Sequence, residues 1–365
     1  MRYDWIDSLK GMVIVLVVIG HLSTIPSGLI FSRLNQYIYS FHMPLFFFIS
    51  GYLFNFEKYA NVEKVYLIKR SFSLIIPYFF FSTIAYIFYI IMDWLYQPQT
   101  QNIELFGKGV FFNLYAVICS ANGYLIDTPL WFLPCLFIIE ILFFMSIKHF
   151  KQNYKLLALI IIFSLIGFLY SIYIPLRMPW GIDIALTGTV FYSAGYFFRR
   201  KYEDIFFKKS YFFILFLLLT HITLSFINPK VDMYKLIYNN YFFFYLSAFS
   251  GIFFYVYVFR MIKPLKALQF YGKNSLIILG LHYLIISTLK YTLPILFNHF
   301  NLRVNESIFF ITSMFFTLLL LIPTIVVINR YFPYITGKSK RLTKTIELYS
   351  YFNSSKNREP TYLLK

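Results

Sequence analysis

Charged side chains are scarce in this chain, and acidic ones are the scarcest. Of its 365 residues, 13% are charged, and 15 acidic residues stand against 33 basic ones. A soluble domain is typically about one-quarter charged. Together with a hydrophobic fraction of 59% and a mean hydropathy of +0.66, this shortage excludes an ordinary soluble domain and indicates an integral membrane protein.

Other shortages exclude further classes of protein. The two cysteines, Cys119 and Cys135, allow at most one bridge, so a disulfide framework is excluded. No cluster of His, Cys or carboxylate residues has metal-ligand spacing, and we predict no bound metal. A cleavable signal peptide is disfavoured because Asp4 and Asp7 lie where it would be positive, and no small-residue cleavage site follows His21. We therefore expect a retained first helix.

Long apolar runs fill most of the chain. Crossing a hydrocarbon core of about 30 Å takes about 20 helical residues. The sequence predicts ten such helices, at residues 9–27, 37–55, 70–93, 129–147, 155–174, 180–198, 211–227, 240–259, 274–297 and 306–329. Residues 104–125 are predicted to form a re-entrant or interfacial helix. The predicted organisation is one all-α transmembrane domain over residues 1–335 and a basic cytoplasmic tail over residues 336–365.

Loops rich in basic residues alternate regularly along the chain with loops that contain few of them. If the N-terminus is cytoplasmic, most of the 33 basic residues fall in inner loops and the tail, so both termini are predicted to be cytoplasmic. The outer loops hold only Arg33, Lys108, Arg177, Lys230, Lys235 and Arg303. The net charge of +18 therefore indicates topology and attraction to anionic lipids, and residues so dispersed do not predict nucleic-acid binding.

The most informative local feature is a pair of polar residues on the first apolar helix. Lys10 and His21 are eleven residues apart, so both point to one helix face, about 16 Å apart along the axis, and Asp7 joins that face. An imidazole in an apolar membrane segment carries a desolvation cost that function usually justifies. We predict His21 as a catalytic group; a purely interhelical hydrogen bond is the alternative.

The second predicted helix carries another histidine. His42 lies roughly two turns from its outer end, so it can reach the depth of His21 on a neighbouring antiparallel helix. Each histidine alone could serve only packing, but two at one depth favour function. Asp183, near the outer end of the sixth span, and His282, in the ninth, are weaker polar cues. Glu140, about half-way along the fourth, is predicted to be a buried hydrogen-bonding group.

Lys69 and Arg70 begin the third predicted helix at its cytoplasmic end. On composition alone they are ordinary positive-inside anchors. Paired basic side chains at a helix start could instead bind phosphates from the cytoplasm, and Arg70 is the better bidentate ligand.

Several stretches give the chain a resemblance to a known family. They are WIDSLKGMVIVLVVIGH, YSFHMPLFFFISGYLF, the basic pair before LIIPYFFF, PLWFLPCLF, IDIALTGTVFYSAGYFFRR and NSLIILGLHYL, which follow one another over roughly residues 4–285. The chain resembles the membrane acyltransferase family 3, and within it the fucose-type sugar O-acetyltransferases. The resemblance implies ten transmembrane helices with cytoplasmic termini, in agreement with the charge pattern.

The resemblance also implies roles for individual residues. The family's basic-x10-His signature falls on Lys10 and His21, with His21 catalytic and Lys10, in place of the commoner Arg, supporting the donor. The family's Arg-x-x-Arg is matched only at Arg70, because Ser73 occupies the second position, and this leaves donor phosphates to Arg70 and Lys69 together. A role for His42 is implied by the sugar-acetylase branch alone.

The function expected is acyl transfer, most simply of acetyl, from cytosolic acyl-coenzyme A to a hydroxyl of a cell-surface glycan or its lipid-linked precursor, in the bacterial cytoplasmic membrane. His21 is the expected base, with His42 or Asp7 assisting, Lys10, Lys69 and Arg70 on the donor side, and Asp183 on the acceptor side. Acyl-coenzyme A acts as a substrate, and no permanent cofactor is expected. A flippase for lipid-linked sugars is the main alternative; direct transfer and an acyl-histidine intermediate both remain open.

Overall fold

The structure, a computed structural model, describes residues 3–26, 28–96, 110–120, 125–150 and 152–336. These residues contain no β-strand beyond one isolated bridge, between Asp232 and Ile237. Their α-helices are α1 (Asp4–Leu22), α2 (Leu29–Tyr39), α3 (His42–Leu53), α4 (Glu63–Arg70), α5 (Ile76–Tyr96), α6 (Val110–Ile118), α7 (Phe132–His149), α8 (Asn153–Tyr173), α9 (Ile182–Phe197), α10 (Glu203–Phe206), α11 (Tyr211–Ile227), α12 (Tyr241–Met261), α13 (Lys266–Lys273), α14 (Ser275–His299) and α15 (Glu306–Tyr331).

Seven helical segments of the described chain are long and apolar enough to cross a membrane. They are α1, the continuous helix of α4, a π-helical turn and α5, then α7 with its preceding turn, α8, α12, α14 and α15. The protein is therefore an all-α integral membrane protein. The count of ten spans and the cytoplasmic termini stay predictions, and residues 337–365 of the predicted tail lie outside the described residues.

Three of the ten predicted spans are not among these seven long apolar helices. Residues 211–227 form α11 with the predicted bounds, and residues 180–198 correspond to α9, which is shorter than a full crossing. Residues 37–55 do not form one helix, because the chain breaks between α2 and α3. Of the predicted helix at 104–125, α6 (Val110–Ile118) is described; residues 104–109 and 121–124 lie outside the described residues.

Helix α1 lies at the centre of the bundle, in contact with α2, α3, α12, α13, α14 and α15. Its approach to α13 is very close: a Cβ atom at Gly11 would lie 1.8 Å from the carbonyl oxygen of Leu268, and one at Gly272 would lie 1.8 Å from that of Asp7. Small residues let helix backbones meet in this way. The contact holds the helix that carries His21.

A second glycine contact holds the helix that carries His42. A Cβ atom at Gly51 of α3 would lie 1.8 Å from the carbonyl oxygen of Tyr192, and one at Gly195 of α9 would lie 2.0 Å from that of Phe48. Helices α3 and α9 are therefore in backbone contact, and larger residues at either glycine would force them apart.

Candidate active site

The end of α1 is fastened by side-chain hydrogen bonds around His21. The last carbonyl groups of a helix have no partner within the helix. Here the Gly20 carbonyl accepts hydrogen bonds from Ser23 Oγ at 2.9 Å and Asn35 Nδ2 at 2.8 Å. The carbonyl of His21 accepts one from Thr24 Oγ1 at 2.7 Å. These hydrogen bonds stabilise the helix end and fix the main chain at His21.

The break between α2 and α3 positions His42. Phe41 leaves the helical conformation, with φ −145° and ψ −19°, and Pro44, which has no N–H to donate, is accommodated in the first turn of α3. The carbonyl of Ile38 accepts a hydrogen bond from the Phe41 N–H at 3.3 Å and another from His42 Nδ1 at 2.7 Å. The imidazole therefore takes up a carbonyl that the broken helix leaves available.

This hydrogen bond decides which nitrogen of His42 carries the proton. A carbonyl oxygen only accepts, so Nδ1 must donate, and in the neutral ring Nε2 keeps its lone pair. Within the described part of the chain, Nε2 of His42 and both ring nitrogens of His21 make no hydrogen bond. Both imidazoles thus retain a nitrogen that can exchange a proton with a substrate.

A third histidine lies directly beside His21. The ring centroid of His282, on α14, is 5.2 Å from that of His21, and the neighbouring Tyr283 ring is at 5.4 Å. Nδ1 of His282 donates to the carbonyl of Ile278 at 2.8 Å, and its fully buried Nε2 has no partner among the described residues. His282 therefore packs against His21, with its ring held by a hydrogen bond to its own helix.

His21 and His42 line one cavity of about 320 Å³. Small-molecule sites occupy roughly 300–1,000 Å³, so this volume suits a small substrate. The ring of Tyr39 packs near both imidazoles, with its centroid 6.5 Å from that of His21 and 4.9 Å from that of His42. The remaining walls come from α1, α3, α14, the turn before α7 and a long loop, through Val17, Thr24, Met43, Leu279, Tyr283, Thr128, Pro129, Trp131, Lys230, Asp232, Met233, Tyr234 and Lys235.

The loop of residues 228–240, between α11 and α12, forms one wall of the cavity. The carbonyl of its first residue, Asn228, accepts a hydrogen bond from Gln36 Nε2 at 2.7 Å, and the Asn228 amide donates to the carbonyl of Tyr238 at 3.2 Å. Asp232 and Ile237 exchange two backbone hydrogen bonds, at 2.8 and 2.9 Å. The loop is therefore tied both to α2 and to itself.

Three charged residues of this loop face the cavity. Burial lowers the pKa of Lys230, while Asp232 opposes that shift and Lys235 adds to it. Burial raises the pKa of Asp232, against hydrogen bonds from the backbone and the charges of both lysines. The Lys230 ammonium lies 5.2 Å from the centroid of the Tyr39 ring, within the range of a cation–π contact.

Asp183 lies behind this loop and does not line the cavity. It is fully buried, and its Oδ2 accepts a hydrogen bond from Arg177 Nε at 2.7 Å. Arg177 Nη1 in turn donates to the carbonyl of Tyr234 in the loop, at 2.6 Å. Asp183 can therefore act on the cavity only through Arg177 and the loop, and its predicted acceptor-side role stays a prediction.

Comparison with known proteins adds the reaction class. A family model described as an acyltransferase domain matches residues 3–328. The chain belongs to acyltransferase family 3. It is thus a membrane-bound acyltransferase, and the fucose-type branch stays a prediction. No curated protein and no solved structure matches the chain.

The predicted donor residues of the acyltransferase have partners of their own. Nε and Nη2 of Arg70 both donate to the carboxylate of Glu140, which is 2% exposed, so the pair is bidentate. This confirms Glu140 as a buried hydrogen-bonding group. Lys69 Nζ donates to Tyr59 Oη at 2.8 Å. A donor phosphate would have to compete with Glu140 for Arg70, and donor binding by Arg70 and Lys69 stays a prediction.

Lys10 and Asp7 lie far from the cavity of the acyltransferase. Lys10 is half-buried on α1, about 16 Å before His21 along the axis, and the buried Asp7 is about 21 Å before it. The Asp7 carboxylate therefore does not contact the imidazole, and its catalytic role and the donor role of Lys10 stay predictions. Among the described residues, no group of three or more His, Cys, Asp or Glu residues is arranged to hold a metal ion.

Sequence reasoning missed the part of the acyltransferase site that comes from distant segments. The sequence indicates Lys230 only as one basic residue of an outer loop and does not single out Asp232, yet both line the cavity with His21. His282 is only a weaker polar cue in the sequence, yet it lies beside His21. The sequence does carry signals for His282 and for Lys230, since a histidine in a membrane helix and two lysines in one outer loop are both unusual.

Proposed function

We propose that this acyltransferase transfers an acyl group, most simply acetyl, from cytosolic acetyl-coenzyme A to a hydroxyl of a cell-surface glycan or its lipid-linked precursor. In this proposal the enzyme lies in the bacterial cytoplasmic membrane and belongs to the branch of fucose-type sugar O-acetyltransferases. The observation that carries the proposal is the shared cavity of His21 and His42, in which each imidazole keeps a nitrogen free of hydrogen bonds to other described residues.

In the proposed reaction His21 is the base. It takes the proton of the acceptor hydroxyl as the oxygen forms a bond to the thioester carbonyl carbon, and it returns a proton to the thiolate when the carbon–sulfur bond breaks. His42, held through Nδ1 by the Ile38 carbonyl, also contacts Tyr39 and can orient the hydroxyl through Nε2. Direct transfer and an acyl-histidine intermediate share this geometry.

The size of the cavity and its aromatic walls suit a sugar acceptor. Tyr39, Trp131, Tyr234 and Tyr283 supply apolar faces with polar edges, which can pack on a sugar ring and bond its hydroxyls. The donor nucleotide would stay at the opposite end of α1, because moving its phosphates into hydrocarbon is very costly. The axial separation of about 16 Å between Lys10 and His21 is comparable to an extended pantetheine arm.

The test is transfer by purified protein in sealed vesicles of known orientation. Labelled acetyl-coenzyme A is placed on one face and a mixture of extracted surface glycans on the other, and labelled glycan is measured. We expect product when the donor is on the face of the N-terminus and the acceptor on the other. Movement of lipid-linked sugar without acylation would instead favour the flippase, and product formed only with both substrates on one face would reject the two-sided arrangement.

Replacing Asp183 by asparagine should raise the KM for the acceptor several-fold and leave kcat nearly unchanged. The amide oxygen can still accept from Arg177, but without the charge that strengthens this hydrogen bond, so the loop at Tyr234 is held less firmly. Initial rates at varied acceptor and saturating donor measure both constants. A fall in kcat at constant KM would place Asp183 in the chemical step instead.

A further inference from the structure

The loop of residues 228–240 brings unusual positive charge to the cavity. The predicted outer loops hold few basic residues, yet two of them, Lys230 and Lys235, line this cavity. Asp232 is the acidic residue among the lining side chains, so the wall keeps one positive charge in excess. Positive residues are disfavoured in outer loops, so a pair at the mouth of a substrate cavity needs an explanation other than topology.

Lys230 is placed where it can reach a substrate bound at the histidines. Its ammonium lies over the ring of Tyr39, and the same ring stands next to His21 and His42. The cation–π contact leaves the N–H donors of the ammonium available for an anion. Both lysines keep a solvent-exposed surface, although Lys230 is partly desolvated at the cavity, while Asp232 is half-buried and accepts a hydrogen bond from the Lys235 backbone N–H at 3.3 Å.

The wall is also rigid, as a recognition surface requires. Leu236 has a left-handed φ of 57°, which costs free energy in a residue with a branched side chain, yet Leu236 and its neighbours Val231, Met233 and Tyr238 are buried. Arg177 holds the middle of the loop at the Tyr234 carbonyl. The charges are therefore presented to the cavity by a fixed backbone.

We propose that this cavity selects an acceptor sugar that carries an anionic group, a carboxylate or a phosphate, and that Lys230 and Lys235 bind this anion while a hydroxyl of the sugar faces the histidines. The proposal rests on the proposed function and narrows its acceptor to an anionic class. An anion bound by the two lysines would neutralise the excess positive charge of the cavity wall. The same contact would orient the sugar and so determine which of its hydroxyls reaches His21.

Binding of simple sugars tests the proposal without any acyl transfer. Glucuronate, glucose 1-phosphate and glucose are titrated into the purified full-length protein, and the fluorescence of Trp131, whose ring centroid lies 6.1 Å from that of Tyr234, is followed. A Trp131→Phe variant identifies the signal. We expect at least one anionic sugar to bind about tenfold more tightly than glucose; which of the two does so distinguishes a carboxylate from a phosphate. Equal affinities for all three sugars would overturn the proposal.

Charge removal assigns the preference to the two lysines. Lys230→Gln and Lys235→Gln should each reduce the preference for the anionic sugar several-fold, and the double variant should abolish it. Arg303→Gln is the matched control, because Arg303 is an exposed cation of another predicted outer loop that does not line the cavity. An anion preference that survives in the double variant would overturn the proposal.

The two proposals can fail separately. Charge-dependent binding without any acylation of surface glycans would leave the anion site standing and reject the proposed transfer to a glycan. Acetylation of a neutral glycan at a rate unaffected by the double lysine variant would do the opposite, since the transfer would stand and the anionic acceptor would be wrong.

Discussion

Replacing His21 by alanine is expected to lower the rate of acyl transfer roughly 100- to 10,000-fold, the range for loss of a well-placed general base. The ring of His21 lines the cavity and makes no hydrogen bond to another described residue, so its nitrogens remain available to a substrate hydroxyl. His282 cannot replace it, because its Nε2 is buried and it does not line the cavity. The measurement is kcat at saturating donor and acceptor.

Two further variants make this result specific. His299→Ala removes an exposed histidine at the far end of α14 and should leave the rate unchanged, which controls for expression and insertion. His42→Ala should cause a smaller loss, because His42 orients the hydroxyl in the proposed reaction. If the His21 variant acylates at a near-normal rate while the His42 variant is inactive, the two histidines have exchanged roles and His42 is the base.

Replacing Arg70 by alanine is expected to destabilise the protein by about 3–5 kcal/mol, the usual effect of removing one partner of a buried ion pair. Among the described residues, Glu140 would keep one long hydrogen bond, from Tyr66 Oη at 3.5 Å. The free energy of unfolding in detergent, from denaturant titration, measures the loss. Lys148→Ala is the comparison, because it breaks an ion pair in which the Lys148 side chain is 44% exposed and the Glu63 side chain 33% exposed. This variant should lower the free energy of unfolding by less than about 1 kcal/mol.

A double variant separates stability from donor binding. In Arg70→Met combined with Glu140→Met, no charge is left buried, and most of the lost stability should return. If Arg70 also binds a donor phosphate, the KM for acetyl-coenzyme A should remain raised in this stable variant. Recovery of both stability and donor KM would show that Arg70 serves only the ion pair. An Arg70→Ala protein as stable as the wild type would contradict the buried pair itself.

The helices and the location of the first catalytic candidate could be predicted from local sequence. The sequence predicts a helix over residues 211–227, and α11 has those bounds, because hydropathy and length are properties of the segment itself. The common face of Lys10 and His21 follows from the helical repeat. The sequence also predicts similar depths for His21 and His42, and both line one cavity, although the single helix along which the depth of His42 is counted is broken in the structure.

The break in the second predicted span could not be read from hydropathy. Residues 37–55 are apolar enough and numerous enough to predict a single transmembrane helix. In the structure, however, α2 ends at Tyr39 and α3 begins at His42. The hydrogen bond from the His42 ring to the Ile38 carbonyl is part of that break. The hydropathy of a segment indicates whether it can lie in the membrane, but it does not indicate where a helix is interrupted.

Sequence by itself therefore determined the class of protein, most of its helices and the face that carries His21, because these depend on composition and on periodicities of a few residues. Only the tertiary structure decided which distant side chains meet. It placed His282 beside His21, Arg70 against Glu140 and Lys230 over Tyr39. Each contact joins segments remote in sequence, and neighbouring helices in a bundle are chosen by close packing that no single segment encodes.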